Sequence, residues 1–378
     1  MSASRCTWLA LGIAFAIGAG VLVSRDSAHA EPGGQPAETR LATQMPFDEG
    51  AADPANQPDP KPTFATSTFA TECTHPGALG VSRIVEIDTT SGPRFGEQYH
   101  KDEAKFLEPG EIVLTFDDGP VRRYTMPILE ALDEECVKAT FFSVGRMAIS
   151  DPATLQEVAR RGHTIGVHTW SHKNLATLGA DAMKREFELG LSSVAAAAGT
   201  PIAPFFRFPY LGHSRSSLAY IQSRGMGIFG IHVDSKDFRT KSPGVVLRNV
   251  MAQLEREKKG ILLFHDIQPS TAGAIGSLLV ELKSHGYKVV HLVAKNSPVT
   301  LPEYDAIAEK ALRAKAVAAA SSPVADRAAT WPVQGADAPA GEVAPTTGPA
   351  KTAPNRPAKP FDWANPSNDP WQLKTFGN

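Results

Sequence analysis

Residues Ile112 to Val121 read IVLTFDDGPV. An apolar run of this kind, β-branched and aromatic, reads as a buried strand. It ends in two adjacent carboxylates, Asp117 and Asp118. Side chains alternate along a strand, so neighbours at its end point in different directions and suit different tasks. The Gly119-Pro120 that follows turns the chain sharply enough to aim both inward.

Outward from this stretch the pattern repeats. Further strands are expected over Thr140–Val144, Thr164–Val167, Phe205–Phe208, Gly227–Val233, Ile261–Phe264 and Tyr287–Val293. Segments of helical period lie between them, several opening on Ser, Thr or Asp and closing on Gly. Such alternation is that of an α/β protein with a parallel sheet. An open doubly wound sheet and a closed or nearly closed barrel both fit it. No Gly-rich phosphate loop follows the first strand, which removes the usual nucleotide site of the open form. The polar residues favour the barrel. Asp117 and Asp118 follow the first strand, His168 and His172 the third, Asp234 and Asp237 the fifth, and His265 and Asp266 the sixth, while Arg207 and Tyr210 end the fourth. All stand at carboxyl ends, which in a β/α barrel open on one face.

The residue types around that face suit metal-assisted hydrolysis. In His168-Thr169-Trp170-Ser171-His172 two imidazoles lie four apart and can point at one ion. One carboxylate of the Asp117/Asp118 pair completes a set of two His and one Asp, with a position open for water. The other is then free to act as general base, because a divalent ion lowers the pKa of its water toward about 7. His265 is delivered to the same face as a candidate acid. Spacing alone leaves open which aspartate does which.

In this order, TFDDGP, HTWSH, RFPY, VDSKDF and ILLFHD resemble the five motifs of the polysaccharide deacetylase family, the NodB-homology or carbohydrate esterase family 4 enzymes. The resemblance covers roughly Glu111 to Val293. It implies a distorted (β/α)7 barrel and metal-dependent removal of N-acetyl groups from sugars such as N-acetylglucosamine. By the resemblance Asp117 is the base, Asp118, His168 and His172 bind the metal, with zinc the first choice, and Arg207 orients Asp117. The backbone N–H of Tyr210 helps hold the oxyanion, Asp237 keeps His265 protonated, and Leu263 lines the pocket for the acetyl methyl. One departure concerns the fourth motif, which commonly ends Asp-Trp and here ends Asp237-Phe238, so altered substrate preference is expected. Two alternatives keep the scaffold: hydrolysis of O-acetyl esters, as on acetylxylan, or of small amides, and a sugar-binding protein without turnover.

The remainder of the 378 residues divides by composition. Residues 1–30 have the order of a secretory signal peptide, with Arg5, an apolar run from Trp8 to Val23 and an Ala28-His29-Ala30 site. The protein is therefore expected to be exported, to the periplasm or outside the cell, with no stable membrane span after cleavage. Residues 31–72 read as a Pro/Ala-rich linker, 73–110 as an extension packing on the barrel, 111–295 as the catalytic domain and 296–378 as an Ala/Pro-rich tail expected to be disordered. The tail carries an amphipathic stretch, then Trp331, Phe361, Trp363, Trp371 and Phe376, a candidate weak docking element. Net charge is −2, and no basic block suggests a nucleic-acid partner. The partner implied is a carbohydrate polymer or oligomer. Cys73 and Cys136 remain after cleavage as a candidate disulfide in an oxidising compartment.

Overall fold

The computed structural model describes residues 65–67, 75–96 and 105–320. The expected signal peptide, nearly all of the linker, Cys73 and the tail aromatics lie outside them.

The strand read first is β4 (Glu111–Asp117), buried along its whole length. Alternation sorts its side chains. Ile112, Leu114 and Phe116 belong to the main core under the helices, while Val113 joins a second, smaller cluster on the opposite face. Thr115 and Asp117 continue that second face toward the carboxyl end.

Parallel pairing runs from β4 to β5 (Thr140–Ser143), β6 (Thr164–Val167), β7 (Phe205–Phe206) and β8 (Gly227–Phe229). On the other edge of β4 lies β10 (Gly260–His265), in register from Gly260 opposite Ile112 to His265 opposite Asp117. β9 (Val233–Asp234) pairs with β10. β8 and β9 are two ends of the single run expected over Gly227–Val233. Because one pairs with β7 and the other with β10, the strands close into a ring. β11 (Lys288–Ala294) meets β4 at Glu111 and Ile112 and otherwise runs beside β2 (Val81–Ile87). The (β/α)7 barrel is thus distorted, six staves forming the ring and the seventh peeling away at its base.

Three strands escaped the reading of the sequence: β2, β1 (Ala65–Ser67), which is antiparallel to β2, and β3 (Arg94–Phe95), which is parallel to β8. In β2 the apolar run is broken by Ser82, Arg83 and Glu86, and Arg83 is accommodated by a bidentate pair with Glu111. The extension fills the base of the ring. Phe95, Phe106 and Leu107 join Val113, Phe205, Phe229 and Ile261 in the second cluster, with Phe95 stacked on Phe229 at 4.7 Å. Each large apolar side chain so buried contributes roughly 1.5–3 kcal/mol. Below, therefore, the barrel is a packed apolar plug; above, polar side chains have the interior.

The helices are α1 (Arg122–Glu134), α2 (Gly145–Ser150), α3 (Pro152–Arg160), α4 (Ala180–Ala198), α5 (Arg215–Ser223), α6 (Pro243–Glu257), α7 (Pro269–Ser284) and α8 (Pro302–Ala320). Asp151 caps α3 by accepting the Thr154 N–H, and Ser214 and Ser217 form a capping box on α5. The first part of the tail expected to be disordered is instead ordered: its amphipathic stretch forms α8, which packs against α4 and buries Ala308. No helix among the described residues is long and apolar enough to cross a membrane.

Candidate active site

Asp117 closes β4 on the inward face and is 2% exposed. Its Oδ1 accepts from Arg207 Nη1 at 2.7 Å. Arg207 is itself fully buried, just past β7, and every arm of its guanidinium is engaged: Nη1 also donates to Thr115 Oγ1, Nε to Phe229 O and Nη2 to Gly230 O. Its cationic carbon lies 4.3 Å from the centre of the Phe142 ring. Burial raises the pKa of Asp117 to about 6, against the opposing pull of Arg207 and His265.

Strand alternation would send Asp118 outward. Its φ of 80° returns it to the same face, a conformation that costs a non-glycine residue roughly 1–3 kcal/mol. Histidines 168 and 172 arrive from the end of β6 on a loop wound by positive φ at Thr169 and His172. That loop is docked on α4. Trp170 N–H donates to Glu186 O at 2.8 Å, and Ser171 donates from its N–H and hydroxyl to the Glu186 carboxylate. Gly190 permits the approach, since a Cβ there would fall 2.4 Å from the carbonyl carbon of Thr169.

The three ligand candidates converge. His168 Nε2 and His172 Nε2 lie 3.5 and 3.2 Å from Asp118 Oδ1. His168 Nδ1 faces the carbonyl oxygen of Arg207 at 2.7 Å. A carbonyl can only accept, so Nδ1 carries the proton and Nε2 keeps its lone pair toward Asp118. Burial, with His172 beside it, holds His168 well below its usual pKa and hence neutral. Asp118 Oδ1 is buried, with no hydrogen-bond partner among the described residues. A lone pair facing an unpartnered carboxylate oxygen is repulsive unless a cation lies between them, so this donor set fits a divalent metal ion.

On the opposite side, His265 ends β10. Its Nδ1 bonds Asp237 Oδ1 at 2.7 Å, and its N–H donates to Asp237 Oδ2 at 2.7 Å. The Thr271 hydroxyl also donates to Oδ2. Burial works against the imidazolium, yet Asp237, with Asp118 and Asp117, raises His265 to about 10. His265 is therefore held in its protonated form at neutral pH.

Asp117, Asp118, His168, His172 and His265 line one cavity of about 440 Å³, with Arg207 and Asp237 buried behind them. Leu263 is in its wall. Tyr210 and Phe238 stand at the rim, their rings edge-on to His172 at 4.8 Å and to His265 at 5.7 Å. Asp234 is there too, with Oδ1 accepting the Lys236 N–H. The structure adds Val144, Leu211, Arg239, Ile267 and Gln268 to the lining. Supporting residues to which the reading of the sequence assigned no role are Thr115, the first residue of TFDDGP, and Glu186, Gly190 and Thr271, which lie outside the five motifs. Asp266, expected on this face, has turned away: it is 2% exposed, outside the cavity lining, and bonded to Gly119 and Thr125. Cys136 is disulfide-bonded, and Cys73, the partner the sequence nominates, lies outside the described residues.

Residues 105–229 match the family model described as polysaccharide deacetylase. Peptidoglycan-N-acetylglucosamine deacetylase PgdA of Listeria monocytogenes is 31% identical over 179 residues, which is 47% of this chain and 37% of that protein. A chitin deacetylase of Colletotrichum lindemuthianum is 29% identical over 196 residues, 48% of this chain and 78% of that one. Among solved structures, a peptidoglycan deacetylase of Bdellovibrio bacteriovorus is similar with a TM-score of 0.51 and 36% identity, covering 56% of this chain and 59% of that chain. The chain thus spans less than two thirds of the length of the Listeria and Bdellovibrio proteins.

Proposed function

The chain belongs to the polysaccharide deacetylase family, and we propose that it is a metal-dependent hydrolase that removes N-acetyl groups from an N-acetylglucosamine-type polymer or oligomer, releasing acetate. The observation that carries this reading is the convergence in one cavity of three different devices. They are a ligand set with an orphaned carboxylate oxygen, a carboxylate held by a buried arginine, and a histidine held protonated by a buried aspartate.

Asp118, His168 and His172 would hold the ion, and two imidazoles with one carboxylate suit zinc. When bound, such an ion polarises the amide carbonyl and makes a water more acidic. Asp117 is the base. Arg207 fixes its Oδ1, and its Oδ2 lies 3.8 Å from His168 Nε2, on the ligand side of the cavity, positioned to take a proton from the attacking water. As the water oxygen bonds to the acetyl carbon, the carbonyl oxygen gains charge, for which the backbone N–H of Tyr210 is the donor we nominate. His265 then gives its Nε2 proton to the nitrogen, the C–N bond breaks, and acetate and a free amine leave. Asp237 orients and charges His265. Leu263 takes the methyl side and Phe238 the sugar side, its ring half-exposed at the rim.

A polymer substrate of this kind agrees with export, as the signal-like first residues suggest. Product analysis tests the reaction. Purified protein given N-acetylglucosamine oligomers, acetylxylan and a small acetamide in parallel should form amino sugar from the first. Acetate from acetylxylan alone would replace amide hydrolysis by ester hydrolysis.

A further inference from the structure

Asp266 follows His265 at the end of β10, and its carboxylate turns from the cavity into the junction between β4 and α1. There it grips the chain on both sides of Asp118. Its N–H donates to Asp117 O at 3.2 Å, and its Oδ1 accepts the Gly119 N–H at 2.9 Å. Its Oδ2 accepts the Thr125 hydroxyl at 2.7 Å, while Thr125 Oγ1 accepts the Val121 N–H at 2.9 Å, which ties the grip to the first turn of α1. Gly119 and Asp266 are fitted to each other, because a Cβ on Gly119 would lie 2.0 Å from Asp266 Oδ2.

The grip has a task. Asp118 stands at φ 80°, from which an ordinary residue relaxes, and relaxation would swing its carboxylate away from His168 and His172. A buried hydrogen bond from Gly119 to a carboxylate is of the same order as that strain and opposes it. We propose that Asp266 is a positioning residue that holds Asp118 in ligating orientation and so sets the metal affinity of the site. This inference rests on the metal reading above. It gives the residue pair His265-Asp266 a divided role, one facing substrate and the other bolting the two carboxylates of β4 in place.

Zinc alone is the probe, titrated into the full-length metal-free protein in competition with a chromophoric chelator, with thermal unfolding of each zinc-free variant alongside. Asp266→Ala should bind zinc roughly 10- to 100-fold more weakly. Asp266→Asn, whose amide oxygen can still accept from Gly119, should recover most of the loss. Where the alanine variant does not fold, Thr125→Val, which frees one carboxylate oxygen, should weaken zinc by a smaller factor. Unchanged affinity in a folded alanine variant, or in Thr125→Val when alanine does not fold, would overturn the assignment. So would an asparagine variant as weak as alanine. A wild-type protein that binds no zinc would instead overturn the metal reading itself.

Discussion

The carbonyl oxygen of Arg207 accepts the Nδ1 proton of His168 at 2.7 Å while the guanidinium of the same residue holds Asp117 at 2.7 Å. One residue therefore fixes both the tautomer of a metal-ligand candidate and the orientation of the proposed base. Its own anchors are two backbone carbonyls and a threonine, so the arrangement is rigid before any ligand arrives.

Arg207 is consequently a poor site for a conservative exchange. Arg207→Lys keeps the charge but cannot reach Asp117, Thr115, Phe229 and Gly230 together. We expect a folded protein with turnover reduced at least about tenfold and zinc binding retained. Arg207→Ala should lower stability by about 3–5 kcal/mol, the usual cost of stranding one partner of a buried pair. Chemical denaturation and zinc titration of both variants check this.

The two carboxylates at the end of β4 should separate experimentally. Asp117→Asn is expected to abolish acetate release and leave zinc stoichiometry intact, whereas Asp118→Asn should lower zinc affinity itself. Metal analysis after gel filtration distinguishes them. Equal metal loss in both variants would end the division of labour.

The pH profile should be bell-shaped. Asp117 must be ionised to act as base, so activity rises with pH through its pKa of about 6, or lower with a cation bound beside it. His265 must be protonated to act as acid, so activity falls as pH rises toward its pKa of about 10, again lower with a cation bound. Asp237→Asn removes the strongest charge raising His265. The alkaline limb of kcat/KM should therefore move to lower pH while the acid limb stays.

Gly190→Ala tests the docking of the ligand loop. The added Cβ would meet the backbone of Thr169, so either α4 or the loop must shift. Overpacking of this kind costs roughly 1–3 kcal/mol. Zinc affinity should fall along with the melting temperature, although Gly190 touches no ligand atom.

Much of this was legible in the sequence, for identifiable reasons. The staves of the ring are short apolar runs with both faces buried, and the chemistry stands at their ends, so Asp117, His168, Arg207, Asp237 and His265 could be placed around one opening from order alone. Past a strand's end, alternation no longer fixes direction. That is why Asp118 needed its positive φ to reach the cavity, and why Asp266 points elsewhere. β2 was hidden because Ser82, Arg83 and Glu86 interrupt its pattern and its partner β11 lies some two hundred residues away. Glu186 resembles any helix-face carboxylate until the loop docked on it is seen. The smaller ring at Phe238 was legible as a departure, and its half-exposed place beside His265 gives that departure a location.

The central claim is a metal-dependent N-deacetylation at the Asp118, His168 and His172 cluster. The most direct measurement is acetate release from N-acetylglucosamine oligomers by the purified protein as isolated, after chelator treatment, and after zinc is restored. Release that the chelator abolishes and zinc returns is the predicted result. Release that persists undiminished in verified metal-free protein, or none from verified zinc-loaded protein, would contradict it.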